Sequence, residues 1–397
     1  MADAAGAADA AEAESSQPVA DRQSWRHRRS SNPIRLAAQL WSAAEPSAAA
    51  TAEEKLLQAY VRAPFILGRV LLAQGAHAGE SIATCDVNPD VRDGVPVVVA
   101  HGAGAGLGFS YRNLDAIASL GGRRRRVLAF DWLGQACSSR PPFPPPRPGS
   151  WRPTWLLSQE ERIEGAINFY VESLEAWRAA LGIESFDLIA HSIGGYFSAF
   201  YAMAYPGRVR RLVLHGAVGI GPAPPPEERR PLGPFRGLWE QGFLHFGRLK
   251  HFGPLVRNTA KEGFKGYMAT ESEAEAELLC EYWWQLLCAQ PLSSDTSVNI
   301  CLTPIATDER TSMYGRRPVA EEGEARLANL ARTRPAFVYG ESDWLYGGDA
   351  LRDFIDALPG ASLHFVPGAA HHEYLDQYRR YHAVLEEVLG REDAGRV

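Results

Sequence analysis

From residue 95 onward, the chain is punctuated by short runs of apolar and β-branched residues. They read "VPVVVAHG" (95–102), "RVLAFDW" (126–132), "FDLIAHS" (186–192), "RRLVLHG" (210–216), "RPAFVYGESD" (334–343) and "SLHFVPGAAH" (362–371). Near-continuous apolar runs of this length, separated by helical patterns, fit strands buried on both faces, which means a parallel sheet with helices packed on each side. The helical patterns are explicit. Ile163, Ile167, Tyr170, Val171, Leu174, Trp177 and Leu181 recur at helical spacing, and Ser158 followed by Glu161 forms a capping-box signature ahead of them. A second helix is predicted directly after Ser192, with Phe197, Phe200, Tyr201 and Ala204 on one face, ending before Pro206. The fold class is therefore α/β, with a mostly parallel central sheet flanked by helices.

The strand–helix rhythm stops between about 217 and 330. Pro222–Pro226 and Pro231–Pro234 break the chain, and "ELLCEYWWQLLC" (277–288) then offers an aromatic-rich helix. An insertion here lies on the carboxyl side of a parallel sheet, where such sheets bind ligands, so it is read as a cap. The division expected is a disordered tail (1–33), an N-terminal helical segment (34–60), a core in two parts (61–216 and 331–390) and the cap (217–330). The Ala-rich start cannot bury enough surface to order itself. The helical segment is expected to dock on the core, with a membrane-surface contact through Trp25 and Trp41 as the competing role.

Composition excludes several classes. A net charge of −6 over 397 residues does not favour nucleic acid. The basic run Arg123–Arg126 reads as a turn or helix end before a strand. No window approaches the ~18 apolar residues of a membrane-spanning helix, so any membrane contact should be peripheral. Five scattered cysteines without CxxC spacing suggest reduced thiols and an intracellular setting, and no residue pattern predicts a metal site.

The chemistry centres on "AHSIGG" (190–195). A serine at a strand end with glycines close behind resembles a nucleophile elbow, Gly-x-Ser-x-Gly, with Ala190 in place of the first glycine. Position 190 needs a small residue, and alanine is small. A serine hydroxyl also needs a base, a group orienting that base, and amides aimed at the developing oxyanion. "HGAGAGLG" (101–108) follows the first run and points to the Ala103 and Ile193 amides as the oxyanion donors. It lacks the spacing of a nucleotide-binding loop. The acid is expected after a late strand. Asp343 is favoured over Asp349 because it lies nearer the strand end. The base is His371 or His372, just past the last strand. The chain order Ser, Asp, His matches that of α/β-hydrolase triads.

With these residues in place, the chain resembles the α/β-hydrolase superfamily over about residues 60–390, and more narrowly its α/β-hydrolase domain 4 and 5 subfamily with plant and yeast relatives. The resemblance is carried by "HGAGAGLGFSYRNLD", by "FDWLGQACSSRPPF" with Ala136 where glycine is usual, by "ESLEAWRAALGIESFDLIAHSIGGY", by "YGESDWLY" and by "GAAHHEYLD". It implies that His371, not His372, is the base, and that His371 and Asp376 form the subfamily's His-x-x-x-x-Asp motif, linked to acyl transfer. An exposed carboxylate capping the last helix is the competing role for Asp376. The resemblance further implies hydrolysis of lipid acyl esters (phospholipid, lysophospholipid or acylglycerol). It extends to acyl-CoA-dependent acylation of lysophosphatidic acid, with acyl-CoA as co-substrate and no bound cofactor. It implies cytoplasmic protein at a lipid-droplet or membrane surface; the Arg/Ser-rich stretch 22–36 leaves the mitochondrion as the alternative location, although four acids (Asp3, Asp9, Glu12 and Glu14) argue against a transit peptide. One subfamily member lacks the nucleophile and acts as a lipase coactivator, so an adaptor with a vestigial triad is the rival reading. Tyr111, Trp132, Trp283 and Trp284 are candidates to line an acyl tunnel, with core packing as the competing role.

Overall fold

The computed structural model describes residues 46–143, 156–240, 253–289 and 292–390. The tail, residues 34–45 of the N-terminal segment, Trp25 and Trp41 lie outside the described residues. The six runs form β3 (Val97–Ala100), β4 (Val127–Phe130), β5 (Phe186–His191), β6 (Val209–His215), β9 (Ala336–Gly340) and β10 (Ser362–Val366). They pair in parallel in the order β4-β3-β5-β6-β9-β10. Two further strands, β1 (Phe65–Leu71) and β2 (Ser81–Val87), add an antiparallel edge beyond β4. The apolar pattern does not announce β1, because it carries Gly68 and Arg69 and is only partly buried.

The central strands are apolar on both faces because both are covered. Val98 and Ala100 of β3, with Leu188 and Ala190 of β5, join the helices Gln159–Ala180 and Ser192–Ala204 in one core. Val97 and Val99, with Ile189, face the opposite core, which includes Leu56 and Leu57 of the N-terminal helix Pro46–Tyr60. Each large apolar side chain fully buried this way contributes about 2 kcal/mol. The helix at 159 starts with the capping box its sequence indicates. Glu161 N–H donates to Ser158 Oγ (3.1 Å), and Ser158 N–H donates to the Glu161 carboxylate (2.8 Å). The arginine run leads into β4, with Arg124 on Asp90 and Arg126 on Asp86. All five cysteines are buried, and none is in a disulfide.

The cap is inserted between β6 and β9. It contains the helices Pro234–Glu240, Pro254–Tyr267, Glu273–Ala289 and Leu292–Cys301 and a hairpin of β7 (Leu302–Ala306) with β8 (Thr311–Gly315). Helix Glu273–Ala289 packs along the N-terminal helix, and helix Glu324–Arg332, after the hairpin, packs on helix Ser192–Ala204. The four aromatic candidates for an acyl tunnel serve in packing. Trp284 is buried with Leu287 and Cys288, and Trp283 meets Phe264 edge-on. Tyr111 O–H donates to Glu275, and Trp132 Nε1–H donates to the His101 carbonyl. Among the described residues, no helix is long and apolar enough to cross a membrane.

Candidate active site

Ser192 is the first residue of its helix and holds φ +53°, in the left-handed region. For a serine this costs on the order of 1–3 kcal/mol, so surrounding contacts must impose it. The close neighbours are visible at the glycines. A Cβ on Gly194 would lie 2.2 Å from the His101 carbonyl oxygen, and one on Gly195 would lie 2.8 Å from Ala217 Cβ. A Cβ on Gly102 would lie 2.8 Å from both Ser192 Cβ and His191 Nδ1. The strand end, the loop after β3 and the helix start are thus pressed together, and position 194 has no room for a side chain. Ala190 is fully buried in mid-sheet, in register with Ala100 of β3 and Leu214 of β6.

Residues 179 positions apart converge on this turn. Ser192 Oγ lies 3.2 Å from His371 Nε2, and His371 Nδ1 lies 3.1 Å from each carboxylate oxygen of Asp343. A carboxylate only accepts, so His371 carries its proton on Nδ1 and offers the Nε2 lone pair to the serine hydroxyl. Asp343 is held by the Leu345 N–H, which donates to Oδ1 (2.9 Å). The competing acid, Asp349, is exposed at the start of helix Asp349–Ala357. The competing base, His372, turns its ring toward Tyr267 and Tyr374. Ala103 follows β3 in the loop facing this turn. Ile193 is the second residue of the helix, where first-turn amides have no acceptor within the helix. Asp376 is partly buried at the end of the short helix Glu373–Asp376. It accepts the Ala370 N–H at Oδ2 (2.8 Å) and so braces the loop that carries His371.

Behind the line of Ser192, His371 and Asp343 lies a buried group that sequence reading missed. His191 Nε2–H donates to the His371 carbonyl (3.0 Å), and His215 Nδ1 lies 2.8 Å from Glu373 Oε1. Burial pushes His215 down to about 3, with the neighbouring His371 adding to the shift. Burial, with the nearby Asp343 charge, pushes Glu373 well above the usual carboxylate range. Both shifts favour the neutral forms of the His215–Glu373 pair over the charged ones. No motif signals it, because the partners come from β6 and from the turn after β10. Two clusters carry metal-ligand types of side chain: His191, His215 and Glu373 here, and Glu53, Asp131 and Cys137 beneath the loop after β3.

Comparison with known proteins agrees with the fold. The family described as the alpha/beta hydrolase fold matches residues 95–378. The chain is 32% identical to a pig (Sus scrofa) protein named 1-acylglycerol-3-phosphate O-acyltransferase ABHD5, over 86% of this chain and 89% of that one. It is 28% identical to a cattle (Bos taurus) protein named (lyso)-N-acylphosphatidylethanolamine lipase, over 79% of this chain and 84% of that one. Among solved structures, a bromoperoxidase from Bacillus anthracis superposes with a TM-score of 0.54 at 17% identity, over 82% of this chain and 99% of that one, a likeness of fold alone. The chain belongs to the α/β-hydrolase family, with an esterase-type fold and lipid-acting relatives of the α/β-hydrolase domain 4 and 5 group.

Proposed function

We propose that the protein is a serine hydrolase of lipid acyl esters. The observation that carries this reading is the line from Ser192 Oγ through His371 to Asp343, built on a serine in a strained turn. Ser192 attacks the acyl carbonyl, and His371 Nε2 takes its proton. Asp343 orients the imidazole and stabilises the imidazolium that forms. The Ala103 and Ile193 amides hold the oxyanion, and His371 returns its proton to the leaving group. Water then releases the acyl chain. If a lysolipid hydroxyl replaces water, the same acyl-enzyme performs transfer, with acyl-CoA as a donor. The names of the relatives cover both outcomes. Asp376 supports either one by bracing the His371 loop.

A lipid surface suits the region around the triad. Trp344, half exposed, lies beside Asp343 with its ring 6.4 Å from that of His371, and Tyr267 and Leu255 are exposed on the cap helix Pro254–Tyr267. These side chains favour peripheral contact with a membrane or lipid droplet on the cap side of an intracellular protein. The test is direct. A fluorophosphonate probe labels the wild type and not Ser192→Ala, and a lipid panel with and without acyl-CoA identifies the products. Equal labelling of both proteins overturns the assignment. Full cellular rescue by Ser192→Ala supports the adaptor reading instead.

A further inference from the structure

The loop after β3 is rich in glycine (Gly102, Gly104, Gly106 and Gly108), so its own residues do little to stiffen it. Contacts from elsewhere hold it. At its start, the Trp132 indole N–H donates to the His101 carbonyl (2.9 Å). At its end, Leu107 N–H donates to Asp131 Oδ1 (2.7 Å) and Gly108 N–H donates to Tyr282 Oη (3.1 Å). Tyr282 in turn donates its own proton to Glu53 Oε2 (2.7 Å). Tyr282 comes from the cap and Glu53 from the N-terminal helix. The Tyr282 ring fills the space that side chains at 106 and 108 would need. A Cβ on Gly106 would lie 2.3 Å from Tyr282 Oη, and one on Gly108 would lie 2.7 Å from the ring.

The chemistry of this cluster is costly for packing alone. Glu53, Asp131 and Tyr282 are buried, and a carboxylate oxygen of each acid and Cys137 Sγ lie within 4.8 Å of one another. Apolar side chains of similar volume would avoid that desolvation penalty. In return, Asp131 and the Tyr282 phenol supply acceptors for two loop amides, and Glu53 accepts the phenol's proton, which apolar side chains cannot do.

We propose that Tyr282 and Glu53 are positioning residues that clamp the loop after β3, so that the cap and the N-terminal helix together set where the Ala103 amide points. The inference rests on the serine-hydrolase reading. It adds that the N-terminal helix and the cap form part of the oxyanion machinery rather than a passive cover.

The test uses the full chain with Tyr282→Phe, Glu53→Leu and Glu53→Gln. The first keeps the ring and removes the acceptor for Gly108. The second removes the acceptor for Tyr282, and the third keeps it. Hydrogen exchange of peptides covering 101–110 should quicken in Tyr282→Phe and Glu53→Leu and stay near wild type in Glu53→Gln. On a soluble acyl ester, the first two should lose about tenfold in kcat with KM nearly unchanged, and Glu53→Gln should recover most of that loss. Unchanged exchange in Tyr282→Phe overturns the clamp. So does damage in Glu53→Gln equal to that in Glu53→Leu, or a kcat loss that merely follows the fall in melting temperature. Wild-type protein that the fluorophosphonate does not label at Ser192 overturns the serine reading, while the exchange measurement still decides the clamp.

Discussion

Ser192 shows how a single dihedral angle ties stability to chemistry. At φ +53° a glycine would be unstrained, and any side chain is there at a cost. Ser192→Gly should therefore unfold at higher denaturant than Ser192→Ala, by about 1 kcal/mol, although neither is labelled. Urea titration of the two variants checks this. Two positions away on either side, the requirement differs. Gly194→Ala would force a methyl onto the His101 carbonyl 2.2 Å away, so it should lose labelling and about 3 kcal/mol of stability. Ala190→Gly should keep its labelling rate and lose about 1 kcal/mol, from a buried methyl and added chain entropy. A labelling loss in Ala190→Gly would mean that position 190 does more than stay small. Ala136, which stands where the subfamily has glycine, holds φ +43° and shows the physical reason for that preference.

At the scale of elements, the proposed triad depends on loops that other loops hold. The turn carrying His371 is pinned by Asp376 at Ala370 N–H and by His191 at the His371 carbonyl. If Asp376 acts only through this loop, Asp376→Ala should slow hydrolysis and acyl transfer by the same factor, about tenfold. A loss confined to transfer, with hydrolysis intact, would assign Asp376 a direct part in the transfer step. The motif His371-x-x-x-x-Asp376 was legible as spacing. Its bracing contact was not, because a hydrogen bond to a backbone amide leaves no mark on the accepting residue's type.

Across the whole molecule, buried groups of opposite habit shape the response to pH. Burial lowers His101 to about 4 and His215 to about 3, so both stay neutral when folded. Unfolded histidine titrates near ~6.5, so their contribution is full above that pH and is lost as pH falls toward 4. Asp131 behaves the other way. Burial raises it to about 7, against ~3.9 unfolded, so its contribution is full below pH ~4 and is lost as pH rises toward 7. The two slopes oppose each other between pH 4 and 6.5. Asp131→Asn should therefore gain stability more steeply than wild type between pH 5 and 6.5, as read by urea unfolding at each pH. An unchanged slope would mean that Asp131 is ionised in the folded protein.

The sequence by itself determined the parallel sheet, the helices on either side of it and the inserted cap, because strands buried on both faces and amphipathic helices write their burial into the periodicity of apolar residues. It also pointed to Ser192, Asp343 and a histidine at 371 or 372, since a strand-end serine, an acid loop and a terminal histidine follow in chain order, and the resemblance to the subfamily's His-x-x-x-x-Asp motif chose His371. Only the tertiary structure decided the contacts between distant segments. It brought His371 Nε2 to the serine hydroxyl, set Asp349 apart in solvent, and turned Trp132 and Trp284 into packing residues. It also brought Glu53, Asp131 and Tyr282 beneath one loop. Such contacts depend on the directions of side chains from elements far apart in the chain, and no local periodicity records them.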